Sequence, residues 1–323
     1  MNRLLVGFVV MTLCCSAPNR TDAQPYPSRT VTIVVPFPAG GVPDMVPRGM
    51  AELLQQQTGQ PFIVDHKPGA TQTIGMRFVA QAKPDGYTLL FGTGTGLAIN
   101  PSLKKEVPFD PVKDFEPISL IYSAPLFLVT RKDLPVNSVA DLIALAKREP
   151  GKLNYASGGP GSSSHLAAEL LKVLAGVDMA HVPYPGTAPA IRDVIGGHVD
   201  LMFIASGVQY AGTGQVKLLG VTGTKRSPAA ADLPTLAEAG VPGYSATAWF
   251  GFLAPAGTPK PVIDRLSELM KGTIDSGALA ERLKNSAAEM ELVGSKPAEF
   301  GIFIRKEIAQ WREVIKAARI EPN

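Results

Sequence analysis

The segment Val31-Thr-Ile-Val-Val-Pro-Phe-Pro-Ala-Gly-Gly41 runs five β-branched residues into a Pro/Gly turn, and a helical pattern through Met50–Gln57 follows. That order reads as strand, loop and helix. In a parallel sheet, such a junction sits at the carboxyl edge of the strands, where ligands bind. The free N–H groups of the loop and of the helix start favour an anion there. Asp44 stands where it can cap the helix, a structural role rather than a chemical one. Pro47 falls in the opening turns and delays or kinks the helix.

Outward from this junction, short apolar runs alternate with amphipathic helices. Strands are expected at Val31–Val35, Phe62–Asp65, Tyr87–Phe91, Ile118–Tyr122, Leu126–Thr130, Leu153–Ala156, Met179–Val182, Leu201–Ile204 and Leu218–Val221. Helices are expected at Val139–Arg148, opened by Ser138 with Asp141 three residues on, and at Ser164–Ala175, stopped by Gly176. Thr258-Pro259 reads as an N-cap followed by proline at the first helical position, and a long helix closes the chain over Pro297–Ala318. The alternation predicts an α/β architecture with largely parallel sheets.

The chain has 323 residues, enough for two cores. Pro- and Gly-rich turns at Ser123–Pro125 and within Gly223–Ser245 mark crossing points between them. Two crossings would make the first domain discontinuous and leave a two-strand hinge. Two sequential domains remain the alternative at this stage.

Four further loops share the design of the first. Lys67-Pro-Gly-Ala-Thr-Gln-Thr-Ile-Gly75 follows a strand and precedes a helix. Ser157-Gly-Gly-Pro-Gly-Ser-Ser-Ser-His165 places three serines at a helix start. Tyr184-Pro-Gly-Thr187 and Asp200-Leu-Met-Phe-Ile-Ala-Ser206 follow later strands. Taken singly, each is also compatible with an ordinary surface loop. As a set they suit capture of a small anion by aligned N–H and hydroxyl donors, without an arginine clamp.

Other chemistries lack their signatures. Gly92-Thr-Gly-Thr-Gly96 is glycine-rich, but no GxxxxGK[ST] occurs, and Leu97 stands where a dinucleotide fingerprint needs its third glycine. There is no GxSxG elbow. Ser164 and His165 adjoin in sequence, which alone makes no nucleophile–base pair. His66, His165, His181 and His198 show no metal-ligand spacing, so neither a metal nor a cofactor is expected. Lys+Arg 31 against Asp+Glu 28 gives a net charge of +3, which argues against a nucleic-acid binder.

The first residues read as an export signal. Arg3 precedes the apolar run Leu4–Leu13, and small residues end at Thr21-Asp22-Ala23. That run is too short to span a bilayer, which takes about 20 helical residues. Cleavage near Ala23 would remove both cysteines, Cys14 and Cys15, and leave a thiol-free periplasmic protein with a net charge of +2.

At the loops the chain resembles the Bug family, the periplasmic solute receptors of tripartite tricarboxylate transporters. The likeness runs through Tyr26-Pro-Ser-Arg29, Val34-Val-Pro-Phe-Pro-Ala-Gly-Gly41, Ala82-Lys-Pro-Asp-Gly-Tyr-Thr-Leu89, Ile99-Asn-Pro-Ser-Leu103 and Phe109-Asp-Pro-Val-Lys-Asp-Phe115. It continues in Pro150-Gly-Lys-Leu-Asn-Tyr-Ala-Ser157, His181-Val-Pro-Tyr184, Gly197-His-Val-Asp-Leu-Met-Phe203 and Phe252-Leu-Ala-Pro-Ala-Gly-Thr-Pro259. The resemblance implies a two-domain clamshell of the type II periplasmic binding-protein kind and no enzymatic activity. It implies a first domain of residues 24–123 plus about 240–323, and a second of 124–239.

The resemblance also implies the binding loops. One ligand carboxylate would lie between Phe37, Ala39, Gly40 and Gly41 and the loop Ala70, Thr71, Gln72 and Thr73. The second domain would close with Ser162, Ser163, Ser164 and His165, with Pro185, Gly186 and Thr187, and with Ile204, Ala205 and Ser206. Partners would be a small organic carboxylate and the membrane subunits of the transporter, with a monomeric receptor.

Departures from the family pattern bear on the ligand. Thr71-Gln72-Thr73 stand where relatives are usually Gly-Gly-Asn, Pro185 stands where a lysine or similar polar residue is common, and Ile204 stands where many carry an aspartate. An isoleucine cannot balance an ammonium and offers apolar surface to a ligand body. The expected ligand is therefore a dicarboxylate without an amino group, terephthalate-like or a medium-chain aliphatic diacid, with citrate-like acids next. The competing readings are an exported serine hydrolase using Ser164 with His165, and an orphan receptor feeding a signalling partner.

Overall fold

The computed structural model describes residues 26–40, 42–103, 106–284, 290–318 and 320. The expected leader, its cysteines and Gly41 lie outside these residues. Strand β1 (Val31–Val35) is the centre of the first layer. Val31, Ile33 and Val35 pack into one apolar cluster and Val34 into another, so alternate side chains fill both faces of the sheet. A strand buried on both faces needs a continuous apolar run, which is why this one carries no polar alternation. Helix α1 (Val42–Thr58) covers one face through Val46, Met50, Leu53 and Leu54, the spacing of a single helical stripe.

Strands β2 (Phe62–His66) and β3 (Thr88–Thr93) flank β1 in parallel, with helix α2 (Thr73–Ala80) between them in sequence. A π-helical turn, Thr95–Ile99, and the short helix α3 (Asn100–Leu103) follow β3. Strand β4 (Phe115–Pro125) completes this part of the layer before the chain leaves it.

The second layer holds β5 (Phe127–Arg131), helix α4 (Val139–Arg148), β6 (Asn154–Ser157), helix α5 (Ser163–Ala175) and β7 (Ala180–Pro183). Helix α6 (Thr187–Ile195), β8 (Leu201–Ile204), helix α7 (Gly207–Gly212) and β9 (Val216–Val221) finish it. The chain then returns to the first layer as β10 (Thr247–Pro255), helices α8 (Lys260–Asp275) and α9 (Ala278–Leu283), β11 (Glu291–Leu292) and helix α10 (Pro297–Ala317). The two sheets have the orders β11-β4-β10-β3-β1-β2 and β7-β6-β8-β5-β9.

The expectation of largely parallel sheets needs correction. β10 runs antiparallel to both β3 and β4, β11 runs antiparallel to β4, and β5 runs antiparallel to both β8 and β9. The reason is the double crossing. β4 carries the chain out and β10 brings it back alongside, paired from Thr247↔Pro125 to Pro255↔Phe115. The sequence held a trace of this, because Phe115–Arg131 contains two strands with no helix between them.

Three segments are pinned together where the chain crosses. The Leu126 N–H donates to Thr222 Oγ1 at 2.7 Å, Thr222 N–H donates to the Leu126 carbonyl at 2.9 Å, and Ala246 N–H donates to the Thr222 carbonyl at 3.1 Å. Helix α10 touches β4, α3, α5 and the 95–99 turn, and so lies against both lobes. The segment before the return crossing packs on the second lobe, with the Tyr244 hydroxyl donating to the Ala167 carbonyl at 2.8 Å.

Local helix signals behave as their chemistry requires. Ser138 Oγ accepts from the Asp141 N–H and the Asp141 carboxylate accepts from the Asn137 N–H, closing the start of α4. Gly176 ends α5 in the left-handed conformation. Thr258 does not cap α8; its hydroxyl donates to the Pro255 carbonyl at 2.7 Å, and the helix starts after Pro259. Pro261, at the second helical position, lacks only an N–H that has no intrahelical partner there.

Candidate functional site

The loop leaving β1 is braced rather than loose. Phe37 sits edge-on to Phe91 and Phe250, at centroid distances of 6.3 and 6.2 Å, while Ala39 and Gly40 are exposed. Gly40 adopts φ 93°, a conformation that favours glycine, and its N–H donates to Asp44 Oδ2 at 3.0 Å. Arg48 Nε reaches the same oxygen at 2.9 Å, and His66 Nε2 lies 2.7 Å from Asp44 Oδ1. Burial pushes the Asp44 carboxyl up, but the Gly40 N–H, Arg48 and His66 outweigh it and hold the group below its ordinary value. Asp44 therefore ties the first loop, α1 and the end of β2 together.

The loop leaving β2 is strained. Ala70, Thr71 and Gln72 have φ values of 46°, 53° and 76°, three successive non-glycine residues in the left-handed region. Each costs about 1 kcal/mol or more, so the surrounding contacts must over-determine the arch. Asn100 Nδ2 donates to the Thr71 carbonyl at 2.6 Å, and the Thr93 hydroxyl donates to Gln72 Oε1 at 2.5 Å. Thr73, the first residue of α2, buries its hydroxyl oxygen with no partner among the described residues. A buried hydroxyl left open beside a strained loop lacks a partner that the described residues could have supplied.

In the second lobe, the loop between β6 and α5 is held from within. Ser162 Oγ accepts from the His165 N–H, Ser164 Oγ accepts from the Gly158 N–H at 3.0 Å, and His165 Nδ1 accepts from the Gly161 N–H at 3.0 Å. Tyr155, His181 and His165 stack beneath it, with centroids 4.9 and 4.1 Å apart. Burial, then His181 and Lys172, push the His165 imidazole down to about 4 against the opposing pull of Glu169. Gly161 has φ 75°, and a Cβ there would stand 2.9 Å from Leu103 Cδ1 of the first lobe. The positive φ favours glycine there, and the two lobes come close at that point.

The Pro185–Thr187 loop lies beside this one: a Cβ on Gly158 would stand 3.6 Å from both Thr187 N and Thr187 Oγ1. The last expected loop divides. Ala205 is exposed and Ser206 half-buried, but Ile204 is 4% exposed and packs in the core with Phe127, Val129 and Ala156. Its pairing with Phe127 in the sheet turns it inward, so it is a packing residue here and not the apolar ligand surface expected of it.

Between the lobes, next to the crossing strands, lies a cleft of about 190 Å³. Thr93, Gly94 and Thr95 line it from the first lobe, Ser163 from the second, and Leu126 and Ala246–Phe250 from the hinge, with Trp311 and Ile99 behind. Of the expected residues, Ser163 lines it directly, Phe37 packs on its Phe250 wall, and Gln72 bonds its Thr93 wall. Thr93, Thr95, Trp249 and Phe250 were not anticipated. Gly92–Gly96 carries no nucleotide fingerprint, and no local motif marks its place at a strand end facing the hinge. A larger hollow of about 600 Å³ at the hinge edge, around Leu120, Lys225, Arg226 and Glu291, contains none of the expected residues.

Ser164 and His165 are not brought together as nucleophile and base. Each is bonded to a different backbone N–H of the same loop. Ser157 Oγ lies 2.6 Å from His181 Nε2, but Ser157 is completely buried. No helix among the described residues is long and apolar enough to cross a membrane.

Two α/β lobes, two crossing strands and a donor-lined cleft define the class of periplasmic solute-binding proteins. The chain belongs to the tripartite tricarboxylate transporter family receptors, whose family pattern matches residues 46–320. It is 33% identical over 321 residues to the protein BugT of Bordetella pertussis, covering 98% of this chain and 97% of BugT. Among solved structures, the R. palustris protein Rpa4515 with adipate is 38% identical with TM-score 0.73, covering 92% of this chain and 100% of that one. MatC of Rhodopseudomonas palustris with bound malate is 32% identical with TM-score 0.69, covering 90% and 100%.

Proposed function

We propose that this chain is an exported receptor that captures a small dicarboxylate lacking an amino group and delivers it to the membrane subunits of a tripartite tricarboxylate transporter. The observation that carries the reading is the composition of the cleft. Its lining carries the accessible hydroxyls of Thr95, Ser163 and Thr247 and the half-buried ring of Phe250, and among the described residues it contains no charged side chain. Neutral donors hold a carboxylate, an aromatic wall suits an apolar middle, and an ammonium would find no carboxylate to balance it. Adipate in one relative and malate in another support a diacid.

In this reading, one carboxylate lies at the Phe37–Gly41 and Ala70–Thr73 loops. The other end meets Ser162–His165, Pro185–Thr187 and Ala205–Ser206 as the second lobe closes, a population shift driven by the ligand. The lobes divide as residues 24–123 plus about 240–323, and 124–239. The receptor acts as a periplasmic monomer after cleavage near Ala23. Four or five charge-assisted hydrogen bonds at about 1.5–3 kcal/mol each, less ordering costs, suffice for micromolar binding.

Calorimetry with adipate, terephthalate, malate, citrate and glutamate tests this. Saturable one-to-one binding of a diacid, with glutamate weaker, is expected. Preference for glutamate over the diacids, or turnover of an ester substrate abolished by Ser164→Ala, would overturn it.

A further inference from the structure

We propose that Thr93 is a positioning residue that sets the orientation of the Gln72 carboxamide and so leaves its amide nitrogen as a fixed donor for the ligand carboxylate. The inference rests on the receptor reading above and adds to it a residue that makes no ligand contact through its own hydroxyl.

The argument starts from hydrogen-bond bookkeeping at one hydroxyl. Thr93 is 3% exposed, so its O–H must find an acceptor within the protein. Thr93 Oγ1 already accepts from the Gly96 N–H at 3.1 Å. Its proton goes to Gln72, at 2.5 Å. If the carboxamide were turned over, Nε2 could donate to the second lone pair of Oγ1, but the buried hydroxyl proton would lose the acceptor it has in Oε1. The relay from Gly96 N–H through Thr93 to Gln72 Oε1 therefore has one direction, and it settles which end of the carboxamide faces outward.

The outward end is Nε2. Gln72 is half-buried, and with Oε1 turned to the buried Thr93 hydroxyl the amide nitrogen is the end that points away from it. The backbone that carries it is equally constrained: Gln72 has φ 76° and ψ −7° just before α2, and the preceding carbonyl is clamped by Asn100. A glutamine normally loses much rotamer freedom on gripping a ligand. Here the backbone clamp and the Thr93 bond have fixed it beforehand, which lowers the cost of binding. The donor is neutral, so it serves a carboxylate or a hydroxyl but rejects nothing by charge. The same relay ties the site to the 95–99 turn, which α10 contacts from behind.

The test combines calorimetry with adipate and malate and nitrogen–proton spectra of the apo protein. Gln72→Ala and Thr93→Val should each weaken binding about tenfold, and the double variant no further than the worse single one. Thr93→Ser should restore affinity to within about threefold of wild type. Gln72→Glu keeps an acceptor for Thr93 but removes the donor, and should weaken binding more than Gln72→Ala. In the apo spectra, the side-chain NH2 pair lost in Gln72→Ala should move in Thr93→Val and return in Thr93→Ser.

Additive effects in the double variant, or an NH2 pair indifferent to Thr93→Val, would overturn the proposal. If wild type binds neither acid nor any other diacid, the receptor reading fails. The amide resonance still decides the lock on its own.

Discussion

Trp249 and Trp311 donate their indole N–H groups to one carboxylate oxygen, Glu307 Oε2, at 2.9 and 3.0 Å. Both tryptophans line the cleft, and they are the two tryptophans of the chain. Trp249 sits on the returning hinge strand and Trp311 on α10. Burial pushes the Glu307 carboxyl up, against the two indole bonds and Lys306, which pull it down. The pair stands where α10 meets the returning strand, so it would report a ligand-driven movement between the lobes. Adding a bound diacid should change the intrinsic emission saturably, with the same midpoint as calorimetry, and Trp249→Phe should remove most of the change.

Removing the shared acceptor is expected to be costly. Glu307→Ala leaves two buried indole donors open and a cavity behind the cleft, a loss of about 2–4 kcal/mol in urea unfolding. Glu307→Gln keeps one acceptor oxygen and should lose about half as much. An Ala variant as stable as wild type would show that the indoles find other acceptors.

Much of the fold was legible because many of the apolar runs are followed by a helical stripe, and some of those helices carry a local start or stop signal. Ser138 with Asp141, and Gly176, are local signals, and local signals survive folding; the cap of α5 is Ser162, two residues before the helix start expected at Ser164. The sheet directions were less legible, because antiparallel pairing of β4 with β10 joins residues over a hundred positions apart. The site was half legible for the same reason. The loops announce their donors, but whether Ile204 faces the core or the cleft depends on its register with Phe127. Thr93 acquires its role only through Gln72 and Gly96, contacts that no motif encodes.

The histidine stack gives the second lobe an acid limit. His165 titrates at about 4 in the fold, against an ordinary value of 6.5, so the folded state favours the neutral ring. The unfolded chain binds the proton first. The contribution is therefore fully present above about pH 6.5 and is lost as pH falls toward 4. The loss should reach the order of 2 kcal/mol near the lower end. Urea unfolding between pH 7.5 and 4.5 checks this, and His165→Gln should show a flatter profile across that window. Parallel profiles for the two proteins would refute the neutral stack.

The crossing strands depend on one hydroxyl. Thr222 Oγ1 accepts the Leu126 N–H where the chain passes between lobes, and Thr222 is completely buried. Thr222→Val preserves the shape but orphans that N–H, a cost of about 1–3 kcal/mol. Thr222→Ser should recover most of it. Hydrogen exchange should show the Leu126 amide losing protection in the Val variant while amides of β1 keep theirs.

Two threonines carry buried hydroxyl oxygens without partners among the described residues, Thr73 at the start of α2 and Thr130 within β5. In the free protein both are a burden, so Thr73→Val and Thr130→Val should each leave thermal stability unchanged or raise it. The ligand separates them. If the Thr73 hydroxyl donates to a carboxylate, its loss should weaken diacid binding about 10- to 100-fold, the equivalent of a charge-assisted bond. Thr130 is enclosed by the β8 and β9 pairings of the second sheet, so its variant should bind as wild type. Equal affinity for both variants would place the carboxylate away from the start of α2, and a loss of affinity in Thr130→Val would mean that the second sheet transmits to the cleft.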